Sequence, residues 1–194
     1  MMDDKIIKSN AHRTSKWSGG TTTELFIDPS GTDFKLGDFR FRLSTATVES
    51  ERSEFTSLPG VSRQLMILDG SITISHEGKY SKTMKKFDMD MFEGDWKTTS
   101  EGKCTDFNLM TCGKTKGTFK SMLLQKDHFV HYSPEHKLDS IFIYLYSGHL
   151  QMDFNANFIL VQSGDLVCIN APFGSDIQFQ ALDDSELIIS ELIL

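Results

Sequence analysis

Arg63-Gln-Leu-Met-Ile-Leu68-Asp-Gly70-Ser-Ile-Thr-Ile74 places an Asp-Gly pair between two apolar runs. Both positions of a tight hairpin turn favour positive φ, so this stretch predicts two strands joined by a turn at Asp69-Gly70. Ile141-Phe-Ile-Tyr-Leu-Tyr-Ser-Gly148-His-Leu-Gln-Met152 has the same plan, with its turn glycine 78 residues further on (148 − 70). Working outward, period-two alternation dominates and helical periodicity is nearly absent. Thr21 to Ile27 reads as a strand ended by Asp28-Pro29-Ser30-Gly31. In Asp38 to Glu49, Phe39, Phe41, Leu43, Thr45 and Thr47 share one face, and Arg40, Arg42, Ser44, Ala46 and Val48 share the other. Phe87, Met89 and Met91 alternate, as do Phe107, Leu109 and Thr111. Gly164-Asp165 opens a strand that runs to Pro172, and Ser185 to Leu194 is a last apolar strand. The expectation is an all-β chain of two barrel- or jelly-roll-like lobes, residues 1–118 and 119–194, related by internal duplication.

Composition narrows the function classes. The 194 residues carry 20 basic and 27 acidic side chains, a net charge of −7, which argues against a nucleic-acid surface. No apolar run approaches the roughly 20 residues of a membrane helix, and Met1-Met-Asp-Asp-Lys5 lacks the pattern of a secretory signal. Cys104, Cys112 and Cys168 are odd in number and unevenly spaced, which predicts free thiols and a cytoplasmic protein. No His-x-His occurs among His12, His76, His128, His131, His136 and His149, so neither a metal site nor another cofactor is expected. No catalytic triad is readable either, because order and spacing do not encode one.

Polar side chains inside apolar stretches mark the candidate site, since burying them unpaired is unfavourable. Thr22 and Glu24 share a strand face, as do Arg42 and Ser44. A guanidinium inside a barrel needs a carboxylate. For Arg42 that partner is Glu24, Asp106 or a bound acid, and the residues alone leave the three open. Arg63 enters a strand after Pro59-Gly60, as a pocket-rim group or one half of a surface ion pair. Asp106 and Asn108 share a face, and a buried asparagine needs partners for both ends of its amide. Gly20 is either a turn residue or a point where bare backbone approaches a ligand. Trp17 is a core residue or a pocket wall.

Five pieces in order resemble the HutD/Ves family: Trp17-Ser-Gly-Gly20-Thr-Thr22-Thr-Glu24, Arg42-Leu-Ser44-Thr-Ala46, Phe55-Thr-Ser-Leu58-Pro-Gly60-Val-Ser-Arg63, Leu68-Asp-Gly70 and Asp106-Phe-Asn108-Leu-Met110. The sequence departs from the family pattern after Trp17 and just before Asp106. The resemblance implies a two-lobed cupin, or bicupin, with a link to histidine utilisation or, in the Ves branch, to stress response. It also implies a regulatory protein that binds a small polar or carboxylated metabolite, such as formylglutamate, and the histidine pattern makes that binding metal-free. On that reading Gly20, Thr22, Glu24, Arg42, Ser44, Arg63, Asp106 and Asn108 form the ligand site, with no catalytic residue among them. A metal-independent isomerase or hydrolase is the alternative. A purely structural interaction protein, a homodimer whose apolar Leu187 to Leu194 end pairs with another copy as an edge strand, is a third reading.

Overall fold

The computed structural model describes residues 5–154, 157–170 and 176–194; Pro172 lies outside them. In chain order the first strands are β1 (Lys5–Ile7), β2 (Arg13–Trp17), β3 (Gly20–Asp28), β4 (Phe41–Val48) and β5 (Arg52–Glu54). Next come β6 (Val61–His76), β7 (Tyr80–Lys85), β8 (Met89–Glu93), β9 (Thr98–Glu101) and β10 (Cys104–Cys112). The remainder are β11 (Lys116–Leu124), β12 (Phe129–Tyr132), β13 (Ser140–Ser147), β14 (His149–Phe154), β15 (Asn157–Gln162), β16 (Leu166–Asn170), β17 (Ile177–Ala181) and β18 (Ser185–Ile193). Single 3-10 turns at Ser9–Ala11 and Phe34–Leu36 are the helical pieces among the described residues. The all-β expectation holds, and no described helix is long and apolar enough to cross a membrane.

Two compact units emerge. One is Arg13–Lys116, and the other joins residues 5–12 to Gly117–Leu194. The expected limits of 1–118 and 119–194 differ from this at the N-terminus, because Lys5–Ile7 pairs with Leu166–Cys168 in the second unit. That strand is three residues long and carries no alternation that assigns it a partner.

In the unit ending at Leu194, the sheet β1-β16-β13-β18-β11 and the sheet β12-β17-β14-β15 supply one core. Ile143 and Leu145 of β13, Met152 of β14, Phe179 of β17 and Ile189 of β18 are fully buried in it. β18 lies between β13 and β11, so the idea of Leu187 to Leu194 as a free edge strand is corrected. The reason is hydrophobic: Leu187, Ile188, Ile189 and Leu192 are all fully buried, as a central strand requires.

The Arg13–Lys116 unit is built on the order β2-β3-β4-β10-β6-β9-β5, with β7 and β8 also paired to β6. Here the structure overturns the hairpin expected at Asp69-Gly70. β6 runs unbroken for 16 residues. Its first part pairs with β10 and β8, and Ser71–His76 pairs with β7 and β9. Gly70, at φ 79°, is the point where the strand changes partners. A Cβ there would sit 2.4 Å from the Lys103 carbonyl oxygen. Positive φ plus backbone crowding make this a corner glycine, a use of Asp-Gly that short-range sequence does not separate from a turn. Gly148 performs the same task between β13 and β14, at φ 95° with a virtual Cβ 2.6 Å from the Asp184 carbonyl oxygen. Gly70→Ala is expected to destabilise the protein by about 2–4 kcal/mol, read from denaturant unfolding.

The two units share a pattern of hydrogen bonds. Ile67 N–H donates to Asp88 O, Phe87 N–H to Ile67 O, and Lys85 N–H to Asp88 Oδ2. In the other unit Leu145 N–H donates to Asp165 O, Gly164 N–H to Leu145 O, and Gln162 N–H to Asp165 Oδ2. Asp165 lies 77 positions after Asp88 (165 − 88), close to the spacing between the two corner glycines. Phe87, at φ 68°, occupies the left-handed position that Gly164 fills in the other unit.

Candidate functional site

Strand register gathers the candidate residues. Across the sheet face of the Arg13–Lys116 unit, Thr22 pairs with Ala46, and Ala46 with Asp106. One pleat along, Glu24 pairs with Ser44, and Ser44 with Asn108. One further, Arg42 pairs with Met110, and Met110 with Arg63. A two-residue pleat repeats the outward direction, so three cross-strand rows present their side chains to one side. They line a cavity of about 370 Å³ that includes Thr22, Arg42, Ser44, Arg63, Asp106 and Asn108. Trp17 lines it as well, which assigns this tryptophan to the wall rather than the core.

Gly20 and Glu24 do not line the cavity. A Cβ on Gly20 would lie 1.9 Å from the Thr47 carbonyl oxygen, so the glycine lets β3 approach β4. Glu24 acts through Arg42, whose Nε donates to Glu24 Oε2 at 2.8 Å. The Arg42 Nη1 donates to Ser44 Oγ at 3.0 Å, and its guanidinium carbon lies 4.4 Å from the centre of the Phe34 ring. Of the three partners left open for Arg42, the protein itself supplies Glu24.

Arg63 is held differently. It is 7% exposed, not at a rim, and its guanidinium carbon lies 4.9 Å and 5.2 Å from the ring centres of Phe55 and Phe92. Cation–π contacts of this kind hold the fork in place without satisfying its N–H groups. Its Nη1 donates to the Thr56 carbonyl at 3.5 Å, while its buried Nε has no hydrogen-bond partner. Burial pushes its pKa down to about 10, against the opposing pull of Asp106; Arg42 adds a smaller repulsion.

Asp106 completes the electrostatics. Burial pushes its carboxyl up to about 7, opposed by Arg63, by the Asn108 amide and by the backbone N–H of Ala46. Asn108 Nδ2 donates to Asp106 Oδ1, which leaves the buried Asn108 Oδ1 without a partner. The neighbouring Cys104 thiol is pushed up to about 12 by burial and by Asp106, so it is a poor nucleophile. The raised Asp106 pKa sets a sign for stability. Between about pH 4 and 7 the folded state binds the proton more tightly than the unfolded chain, so this group's contribution is full in acid and is lost as pH rises through about 7. Asp106→Asn is expected to remove that slope, on the order of 1 kcal/mol per pH unit, in urea unfolding between pH 5 and 7.

Sequence reasoning missed the aromatic clamps Phe34 and Phe92, which reach the arginines from outside the family motifs. Phe34 sits in a turn whose Asp33 side chain accepts from the Lys35 N–H, and an Asp two residues before a backbone donor was the available signal. Lys16, Lys35 and Glu54, all exposed, also line the cavity.

Among the described residues no group of three His, Cys, Asp or Glu side chains is placed to hold a metal ion. His76 instead bonds Thr98 and Asp90, while His131 and His149 pair with Asp176 and Asp183. A lining of two guanidiniums, two exposed lysines, the Asp106 carboxyl of raised pKa, the exposed Glu54 and no imidazole does not suit a divalent cation.

Comparison with known proteins bears on identity. The chain resembles PA5104 of Pseudomonas aeruginosa PAO1, a conserved protein of unknown function, at TM-score 0.84 and 18% identity over 100% of both chains. It resembles HutD of Pseudomonas fluorescens SBW25 at TM-score 0.71 and 18% identity over 98% of both. The oxalate decarboxylase OxdC of Bacillus subtilis matches at TM-score 0.72 and 8% identity, over 100% of this chain and 78% of that one. These likenesses give the cupin fold. No match is found among curated proteins. The HutD family model matches residues 9–189, and the chain therefore belongs to the HutD family.

Proposed function

We propose that the cavity of the Arg13–Lys116 unit binds a small molecule carrying a carboxylate and a hydrogen-bond donor such as an amide N–H, without a metal ion. One observation carries this reading: two buried polar atoms of opposite kind, Arg63 Nε–H and Asn108 Oδ1, lack partners on residues that line the same cavity. Leaving either group unsatisfied is unfavourable by about 1–3 kcal/mol, which a complementary ligand would recover. A carboxylate suits the donor, and an amide N–H suits the acceptor. N-formylglutamate has both, and the name HutD points towards histidine utilisation, in which such acids arise. The role is binding in the cytoplasm in a regulatory capacity.

A second reading is favoured by one feature, the Asp106 carboxyl held near neutral pH, where a group can both accept and donate protons. It makes the protein a metal-independent isomerase or hydrolase of the same ligand class. A thermal-shift panel of N-formylglutamate, urocanate and glutarate tests the first reading. At 100 times its Kd a ligand adds about 2.7 kcal/mol, which for a chain of this size is a midpoint rise of about 5–10 °C. A panel without any rise contradicts binding, and NMR spectra showing the hit converted would transfer the site to the enzyme reading.

A further inference from the structure

Asn108 is gripped at one end only. Its Nδ2 donates to Asp106 Oδ1, its Oδ1 has no partner, and both residues are more than nine-tenths buried. The direction of that amide is dictated by its neighbour. An ionised carboxylate only accepts, so it holds the nitrogen of Asn108 and leaves the oxygen as the unbonded end of the amide. A protonated carboxyl has an O–H to donate, and the amide already bonded to it carries an unpartnered acceptor, the Asn108 carbonyl oxygen. The two ends of a side-chain amide have nearly the same shape, so a half-turn about its last torsion exchanges them without disturbing packing.

We infer that Asp106 and Asn108 form a proton-controlled reader, in which the protonation of Asp106 decides whether the cavity offers the ligand an acceptor or a donor. The inference rests on the carboxylate-binding reading above and deepens it. With Asp106 ionised, the group seated at Asn108 must be a donor, such as an amide N–H or a hydroxyl. With Asp106 protonated, one proton taken from solvent becomes the O–H bonded to Asn108 Oδ1, and Nδ2 then receives an acceptor such as a second carboxylate. The other charged or titratable groups around the carboxyl hold fixed roles. Arg63 on β6 lies across from it, Arg42 on β4 is occupied by Glu24 of β3, and the Cys104 thiol on β10 donates to Oδ2 at 4.0 Å. Lys16, Lys35 and Glu54 are exposed at the cavity lining.

Two probes of equal length separate the states: glutarate ends in a second carboxylate, and glutaramate ends in a carboxamide that can present either a donor or an acceptor. Their affinities are to be measured by calorimetry on the full chain. The Asp106 carboxyl changes from about one-tenth to about nine-tenths protonated between pH 8 and pH 6. The glutarate-to-glutaramate affinity ratio should therefore rise about tenfold over that interval. In Asp106→Asn, whose amide can donate to Asn108 at every pH, the ratio should stay at its acid-side value. In Asn108→Ala, whose side chain neither donates nor accepts, the rise should vanish. A flat ratio in the wild-type protein overturns the inference, and so does an undiminished rise in Asn108→Ala, which would reduce the effect to charge alone. Should the variants fold poorly, the side-chain amide resonances of Asn108 in the wild-type protein decide the matter: they should move with a midpoint near 7, and their constancy overturns the switch. Two probes that bind with a flat ratio sink this inference alone. Two probes that do not bind at either pH sink the carboxylate reading together with it.

Discussion

Arg63→Met is expected to leave the protein at least as stable as the wild type while weakening carboxylate binding by about 100-fold or more, roughly 3 kcal/mol. Both halves follow from how Arg63 is held. Its guanidinium is buried between two phenylalanine rings and has one long bond to a backbone carbonyl, and the pull of Asp106 offsets only part of its desolvation. Methionine fills a similar volume with nothing to desolvate, so the fold should gain up to about 1–2 kcal/mol. Such a side chain lowers stability and is explained by the binding it permits. Chemical unfolding and calorimetry with N-formylglutamate, on the same preparations, check the two halves. A large loss of stability would make Arg63 a structural residue instead.

Arg42→Met is expected to behave in the opposite way, losing about 2–4 kcal/mol of stability, a fall in thermal midpoint of about 5–15 °C. Arg42 is satisfied by the protein: Glu24 accepts from Nε, Ser44 from Nη1, and Phe34 stacks on the guanidinium. Removing it leaves the Glu24 carboxylate, about one-quarter exposed, without its partner. The solvent reaching that carboxylate keeps the loss below that of a fully enclosed pair. Adding Glu24→Leu to Arg42→Met should restore part of the loss, because the stranded charge is then gone. Thermal unfolding of the two variants decides it, and equal midpoints for both would contradict the ion pair's role.

The contrast between these arginines marks how far the sequence can be read. Alternation places Arg42, Ser44 and Ala46 on one face of β4, and Asp106 and Asn108 on one face of β10, and the observed register joins those faces. That part needs only the two-residue pleat. Which arginine is paired and which is left open depends on β3 lying beside β4, a non-local fact that parity does not carry. Asp69-Gly70 misleads for a related reason. A positive-φ glycine is demanded equally by a hairpin and by a strand bending between partners, and the distinction lies in the Lys103 carbonyl far along the chain. Ser185 to Leu194 is legible as a strand, but the full burial that makes it central appears only when β11 and β13 close on both sides. The first strand, Lys5–Ile7, gives no signal because three residues carry no period.

In the binding proposed above, Arg63 Nε is the docking point for a ligand carboxylate. A crystal structure with N-formylglutamate bound tests it most directly. The expected result is a carboxylate oxygen of the ligand within about 3 Å of Arg63 Nε, with the formamide N–H directed at Asn108 Oδ1. A ligand seated elsewhere on the chain, with Arg63 Nε meeting only water, would contradict it.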